Sequence, residues 1–426
     1  MTKPFQREPI GNGVYFSSVT DTKFKHNRIT VGLVTELDRA AATNHAIVPF
    51  LLRKGCKTYP DFTQLNRKLC ELYGAALSCD VSKFGSAQVL DLSISGIDSR
   101  FTLDNSDMVA ACAKLLADIL LNPNFENGLF SETDVALERQ QIIDTIESQI
   151  NDKRSYAMSR CKSIMCEGET LSVEKYGYIE DAKKITPALA TEAYQRLIQT
   201  AQIEIIFVGC GDPAQAKQIF ANAFAQANRT PQPLPKVSTR TRAEQVKQVT
   251  DELDVAQSKL VLGFRTGELD SPRKLMAMRL MVALFGGTPN SRLFVYVREK
   301  LSLCYYCAAR IDRLTGLMYV DSGVEKANRQ KAQDEILRQL QIIQKGEFTD
   351  EELTATRLLM QTSLHAVGDS LGAIDEWYMV QIMAGKAASP DDESALVEAI
   401  TRDEVIAAAQ QVTLDTVYFL TGKEAQ

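Results

Sequence analysis

Alternation of apolar and polar positions predicts a strand over residues 29 to 35, and helical spacing of apolar residues follows over 44 to 53 and 61 to 73. Residues 75 to 81 and 88 to 95 resemble a hairpin. Long amphipathic patterns at 107 to 121 and 132 to 150 predict helices. Another helix is predicted at 187 to 198, where Thr186 is the N-cap and Pro187 occupies the first turn. A strand at 203 to 208 and a helix at 213 to 225 close this first series.

The same order then recurs. It predicts a strand at 259 to 264, helices at 272 to 285 and 291 to 300, and strands at 303 to 310 and 316 to 322. Helices at 327 to 343 and 349 to 367, further helical pattern to 384, a helix at 402 to 412 and a strand at 416 to 420 complete it. Between the two series lies Asn228-Arg229-Thr230-Pro231-Gln232-Pro233-Leu234-Pro235-Lys236, where three alternating prolines remove donors and favour an extended backbone. The pattern therefore predicts an α+β fold of two related halves, 1–227 and 246–426, joined by a linker at 228–245. Helices would cover one face of a mainly antiparallel sheet in each half and leave the other face to line a cavity, a clamshell suited to extended polypeptides.

Composition narrows the function. A chain of 426 residues with 45% hydrophobic and 24% charged residues can build more than one core. Its 48 basic residues are interleaved with 54 acidic ones for a net charge of −6, which argues against a nucleic-acid surface. The N-terminal residues lack a signal-peptide core and no apolar run is of membrane-spanning length, so a cytoplasmic location is expected. Nine scattered cysteines do not read as a disulfide framework. Cys304 and Cys307 form a C-x-x-C, but residues three apart in a regular strand face opposite ways, so packing is the expected role.

The stretch 284 to 309 carries the candidate chemistry. It places Arg298 at the end of a helix and Tyr305 at the start of a strand. An arginine offers a planar fork of donors to a peptide carbonyl, and a phenol can donate to a developing oxyanion. The plainer alternative pairs Arg298 with Glu299 and puts Tyr305 in the core. Tyr306 should face away from Tyr305. Gly286-Gly287 reads as a helix C-cap after Phe285.

The strings Phe285-Gly286-Gly287, Ser291-Arg292-Leu293-Phe294 and Val297-Arg298-Glu299-Lys300 to Tyr305, with Leu115-Leu116-Ala117-Asp118-Ile119-Leu120-Leu121-Asn122-Pro123, resemble the M16 (pitrilysin-like) metallopeptidases. The resemblance implies two homologous α+β halves of the LuxS/M16 metallohydrolase kind, working in pairs around a chamber. Active members carry H-x-x-E-H on an early helix ending in Lys-Gly. Aligned on Lys54-Gly55, those positions are Ala46, Pro49 and Phe50, which can neither bind zinc nor activate water. The chain has three histidines, His26, His45 and His365, and His45 is expected at the surface or in a cap. The third ligand of active relatives falls near Asp144, where Glu138, Asp144 and Glu147 should form a solvated helix face.

Arg298 and Tyr305 match the family's substrate-contacting positions, so the resemblance implies a zinc-less, non-catalytic subunit. Such a subunit would meet a peptide substrate together with a zinc-bearing M16 partner, and carry no cofactor of its own. The subgroup it looks most like is a bacterial one associated with aminopentanol modification of elongation factor P. A catalytically inert homodimeric peptide-binding or scaffold protein is the alternative, and new chemistry at Cys304 or Cys307 would require a thiol of lowered pKa.

Overall fold

The computed structural model describes residues 3–104 and 106–423 and divides into two compact units. The first comprises Met1–Glu147, Val173–Lys236 and Asp369–Ala387; the second comprises Ser148–Ser172, Val237–Gly368 and Ala388–Gln426. The boundary between residues 236 and 237 lies at the end of the proline run. The units are nevertheless not the contiguous halves 1–227 and 246–426, because each contains a segment from the other stretch of chain.

The first unit holds β1 (Lys3–Gly11), β2 (Val14–Thr20), β3 (His26–Glu36), β4 (Ala76–Phe84), β5 (Ala87–Ile97) and β6 (Gln202–Gly209), in the order β1-β2-β6-β3-β5-β4. β2 and β6 run parallel, and the other neighbours are antiparallel. The second unit holds β7 (Lys247–Leu253), β8 (Ser258–Arg265), β9 (Cys304–Ile311), β10 (Met318–Val324) and β11 (Thr413–Gly422), in the order β7-β11-β8-β10-β9. Substituting 7 for 2, 8 for 3, 9 for 4, 10 for 5 and 11 for 6 turns one order into the other, with the parallel pair in the same place. The duplication is thus visible in strand order, and β1 is an added edge.

Neither sheet leaves its second face bare, contrary to the pattern-based expectation. In the second unit the helix Lys153–Met165 buries Ala157, Cys161 and Met165 with Val261, Tyr319, Tyr418 and Leu420 of the sheet. In the first, the helix Leu371–Met383, with Trp377, Tyr378 and Ile382 buried, lies on β3 and β6. Both sheet faces are apolar over their central strands, so each needs cover that its own stretch of chain does not supply.

Strands β1, β2 and β7 escaped the pattern. β7 reads Lys-Gln-Val-Thr-Asp-Glu-Leu with every second residue exposed, an edge strand defined by its pairing with β11 rather than by its hydrophobicity. The helix expected over 44 to 53 is two pieces, Ala42–Ala46 and Val48–Leu52. Pro49 has no N–H to give the carbonyl of His45 and its ring crowds that carbonyl, so the ladder breaks at Ile47.

Candidate functional site

The broken helix holds Ala46, Pro49 and Phe50, the positions at which the resemblance would place a zinc motif. Ala46 and Pro49 are buried and Phe50 packs against the core with Ile47, Val48 and Leu51. None offers a ligand atom or a base, so these residues do not fit a zinc ion. Among the described residues no group of three or more His, Cys, Asp or Glu side chains could hold a metal ion.

Two nearby expectations change. His45 is buried, not at the surface, and burial sends its imidazole down to about 4, so it is neutral at pH 7. Glu138 is not on a solvated face: it is buried on the helix Glu132–Ser148 and receives Lys54 at 2.5 Å. Asp144 and Glu147 are exposed as expected. Helical period alone could not reveal that Glu138 is covered, because the lysine that neutralises it comes from a distant loop.

The second unit carries the Arg298 and Tyr305 site. The helix Pro272–Val282 continues into a π-helical turn, Ala283–Gly287, and a second π-helical segment spans Leu293–Lys300. Such wide turns are rare and recur at functional sites. Gly286 is not a C-cap: it lies inside the wide turn, and a Cβ there would come within 2.6 Å of the Ala309 backbone nitrogen. Only glycine allows the turn to approach β9 so closely. Ser291 and Arg292 of the shared motif are buried, with Arg292 donating to Gln339 at 2.9 Å and to Glu352 at 2.8 Å. Arg292 thereby fastens the π segment to the helices Arg329–Gln344 and Asp350–Ala366.

From this platform Arg298 Nε donates to the backbone carbonyl of Tyr305 at 3.0 Å, and its Nη1 lies 3.1 Å from Glu299. The guanidinium also stacks over Phe294. The hydrogen bond engages one of five donors and the ion pair orients the rest, so the fork is held without being used up. Tyr305 is not core; it is 62% exposed, and its hydroxyl is a long 3.4 Å from Glu325. Tyr306 is half-buried beneath Arg154. The structure thus brings Arg298 and Tyr305 together at the start of an edge strand, even though the Glu299 pair foreseen as the plainer reading is also present.

Strand register adds what spacing missed. Val324 of β10 opposes Cys304, Gly323 opposes Tyr306 and Ser322 opposes Cys307, so Tyr305 is an extra, unpaired residue. This bulge restores the alternation by one step and turns Cys304 and Cys307 to the same face, against the expectation for a regular strand. None of the nine cysteines, all among the described residues, is joined in a disulfide.

A second feature had no sequence signal. In the first unit a cavity of about 300 Å³ is lined by Arg28 and Thr30 of β3, Asp80 of β4, Asp91 of β5 and Asp375 of the helix Leu371–Met383. Asp375 accepts from Arg28 at 2.9 Å and Thr30 at 2.6 Å. Asp91 Oδ1 is shut off from solvent and has no hydrogen-bond partner. Burial, then the Asp375 carboxylate, pushes the Asp91 carboxyl up to about 8.

Known proteins extend this picture. Residues 184–360 match the family model described as the peptidase M16 inactive domain. A Bacillus subtilis protein described as the probable inactive metalloprotease YmfF is 30% identical over 408 residues, covering 95% of each chain. Among solved structures, a conserved protein from Enterococcus faecalis superposes over the whole of both chains with TM-score 0.89 and 25% identity. The periplasmic protease PqqL from Escherichia coli matches with TM-score 0.74 and 14% identity, over 99% of this chain but 48% of that one. No helix among the described residues is long and apolar enough to cross a membrane.

Proposed function

The chain belongs to the M16 peptidase family as an inactive member, and from that premise we propose that it is the non-catalytic subunit of a two-chain peptidase. Its mate would be a separate zinc-bearing M16 homologue. The observation that carries this reading is the contrast within one chain. Apolar Ala46, Pro49 and Phe50 occupy the water-activating positions, while Arg298 and exposed Tyr305 are built together on an unusual backbone.

In this reading Arg298 holds a carbonyl of an extended peptide and Tyr305 donates to the oxygen on which charge develops. β4 and β9 support it, since each is the last strand of its sheet and an edge strand can pair with an extended peptide. The solved PqqL chain, of which this fold spans about half, supports pairing of two such folds. Nine thiols with no disulfide among them suit a reducing cytoplasmic setting. Co-expression with zinc-bearing M16 homologues tests the proposal: a co-purifying pair that cleaves peptides is expected, with neither activity nor zinc in this chain alone. A stable homodimer that binds peptide and ignores every such homologue would overturn it in favour of an inert scaffold.

A further inference from the structure

A regular strand would turn Cys304 and Cys307 to opposite faces, and the bulge at Tyr305 turns them to one. Their opposing residues Val324 and Ser322 are two apart on β10. Two residues of strand span about 6.6 Å. Cys304 and Cys307 therefore stand at nearly that separation, near the upper limit of the roughly 4.4–6.8 Å that a disulfide bridges between Cα atoms. Opposite Cys307, the Ser322 hydroxyl donates to the Tyr306 carbonyl at 2.9 Å, within the bulged stretch.

We propose that Cys304 and Cys307 form a thiol–disulfide exchange pair, in which Cys304 attacks a small-molecule disulfide and Cys307 resolves the product into an intrachain disulfide. The Cys304 thiolate bonds to one sulfur of the small molecule and expels the other as a thiolate. Cys307 then gives up its proton and attacks Cys304, forming the intrachain bond and releasing the second thiolate. Two protein thiols are oxidised and one disulfide is reduced to two thiols.

The roles follow from the surroundings. Cys304 is partly exposed, whereas Cys307 is buried. Neighbouring Cys307, then Ser322 and the positive charge of Arg298, hold the Cys304 thiol below its ordinary range against its partial burial. Burial pushes Cys307 well up. Cys56 and Cys79 are pushed up to about 11 and Cys112 to about 12, chiefly by burial. The Cys304 shift runs the opposite way, in the direction of a nucleophile. The pair stands on its own geometry and does not depend on a peptidase partner.

The test treats the full-length protein with glutathione disulfide near pH 7, alkylates the remaining thiols and digests with trypsin. Cleavage after Lys300 and Arg310 leaves both cysteines in one peptide. That peptide is expected unalkylated and lighter by two hydrogens, and in Cys307→Ser a glutathione adduct should accumulate on Cys304. Recovery of the wild-type peptide with both cysteines alkylated, under conditions where exposed Cys70 carries glutathione, would overturn the proposal. The wild-type result decides the matter even if the buried Cys307→Ser change impairs folding.

Discussion

Arg265, fully buried on β8, donates from Nη2 to Glu169 at 2.7 Å, a carboxylate 96 residues earlier in the chain. The same guanidinium reaches Asp415 at 2.9 Å and the Met165 carbonyl at 2.7 Å. It therefore ties the end of the helix Lys153–Met165 to the second sheet.

Arg265→Ala leaves two carboxylates facing an empty space in the interior. Loss of a buried ion-pair partner costs about 3–5 kcal/mol. Denaturant unfolding should report that loss, and hydrogen exchange should quicken first across residues 153–172. Uniform exchange throughout the chain would contradict the tie.

In the complex with a zinc-bearing homologue, Arg298→Ala and Tyr305→Phe should each lower kcat/KM by about 10²-fold if they donate to the transition state. Tyr305→Phe should act mainly on kcat, since it removes one hydrogen bond and little contact area. Unchanged cleavage in both variants would refute the shared site and leave the fold assignment standing.

Gly286→Ala places a methyl group where 2.6 Å separates it from the Ala309 nitrogen and 2.7 Å from Leu293 Cδ1. Overpacking of this kind costs about 1–3 kcal/mol. A lower melting temperature is expected, together with a loss of peptide cleavage by the complex beyond what the stability change explains, because the displaced segment carries Arg298. An unaltered melting temperature would show that the wide turn yields freely.

The Asp91 carboxyl titrates near about 8 in the folded chain, while a solvated aspartate titrates near ~3.9. Folding therefore retains a proton that the unfolded chain has released between those values. The stabilising contribution is full below pH ~4 and is lost as pH rises through about 8. Asp375, raised by burial, acts in the same direction. Asp91→Asn should flatten the decline in urea midpoint between pH 5 and 9, by an amount on the order of a few kcal/mol at the upper end. Parallel curves for the two proteins would remove Asp91 as the cause.

The amino-acid sequence alone determined the elements whose period is strong, such as the helices near 108–121 and 187–200 and the strands of both hairpins, because burial of one face writes a period into the chain. It also determined what the early motif lacks, since Ala46, Pro49 and Phe50 have no donor atoms in any fold, and it marked Arg298 and Tyr305. Tertiary structure decided the rest. Which unit the helices Lys153–Met165 and Leu371–Met383 cover depends on contacts hundreds of residues apart, so no local window records it. Glu138 looks solvated until a distant lysine meets it, and nothing local marks Asp91 as enclosed. The shared face of Cys304 and Cys307 rests on one unpaired residue, visible only against the register of the neighbouring strand.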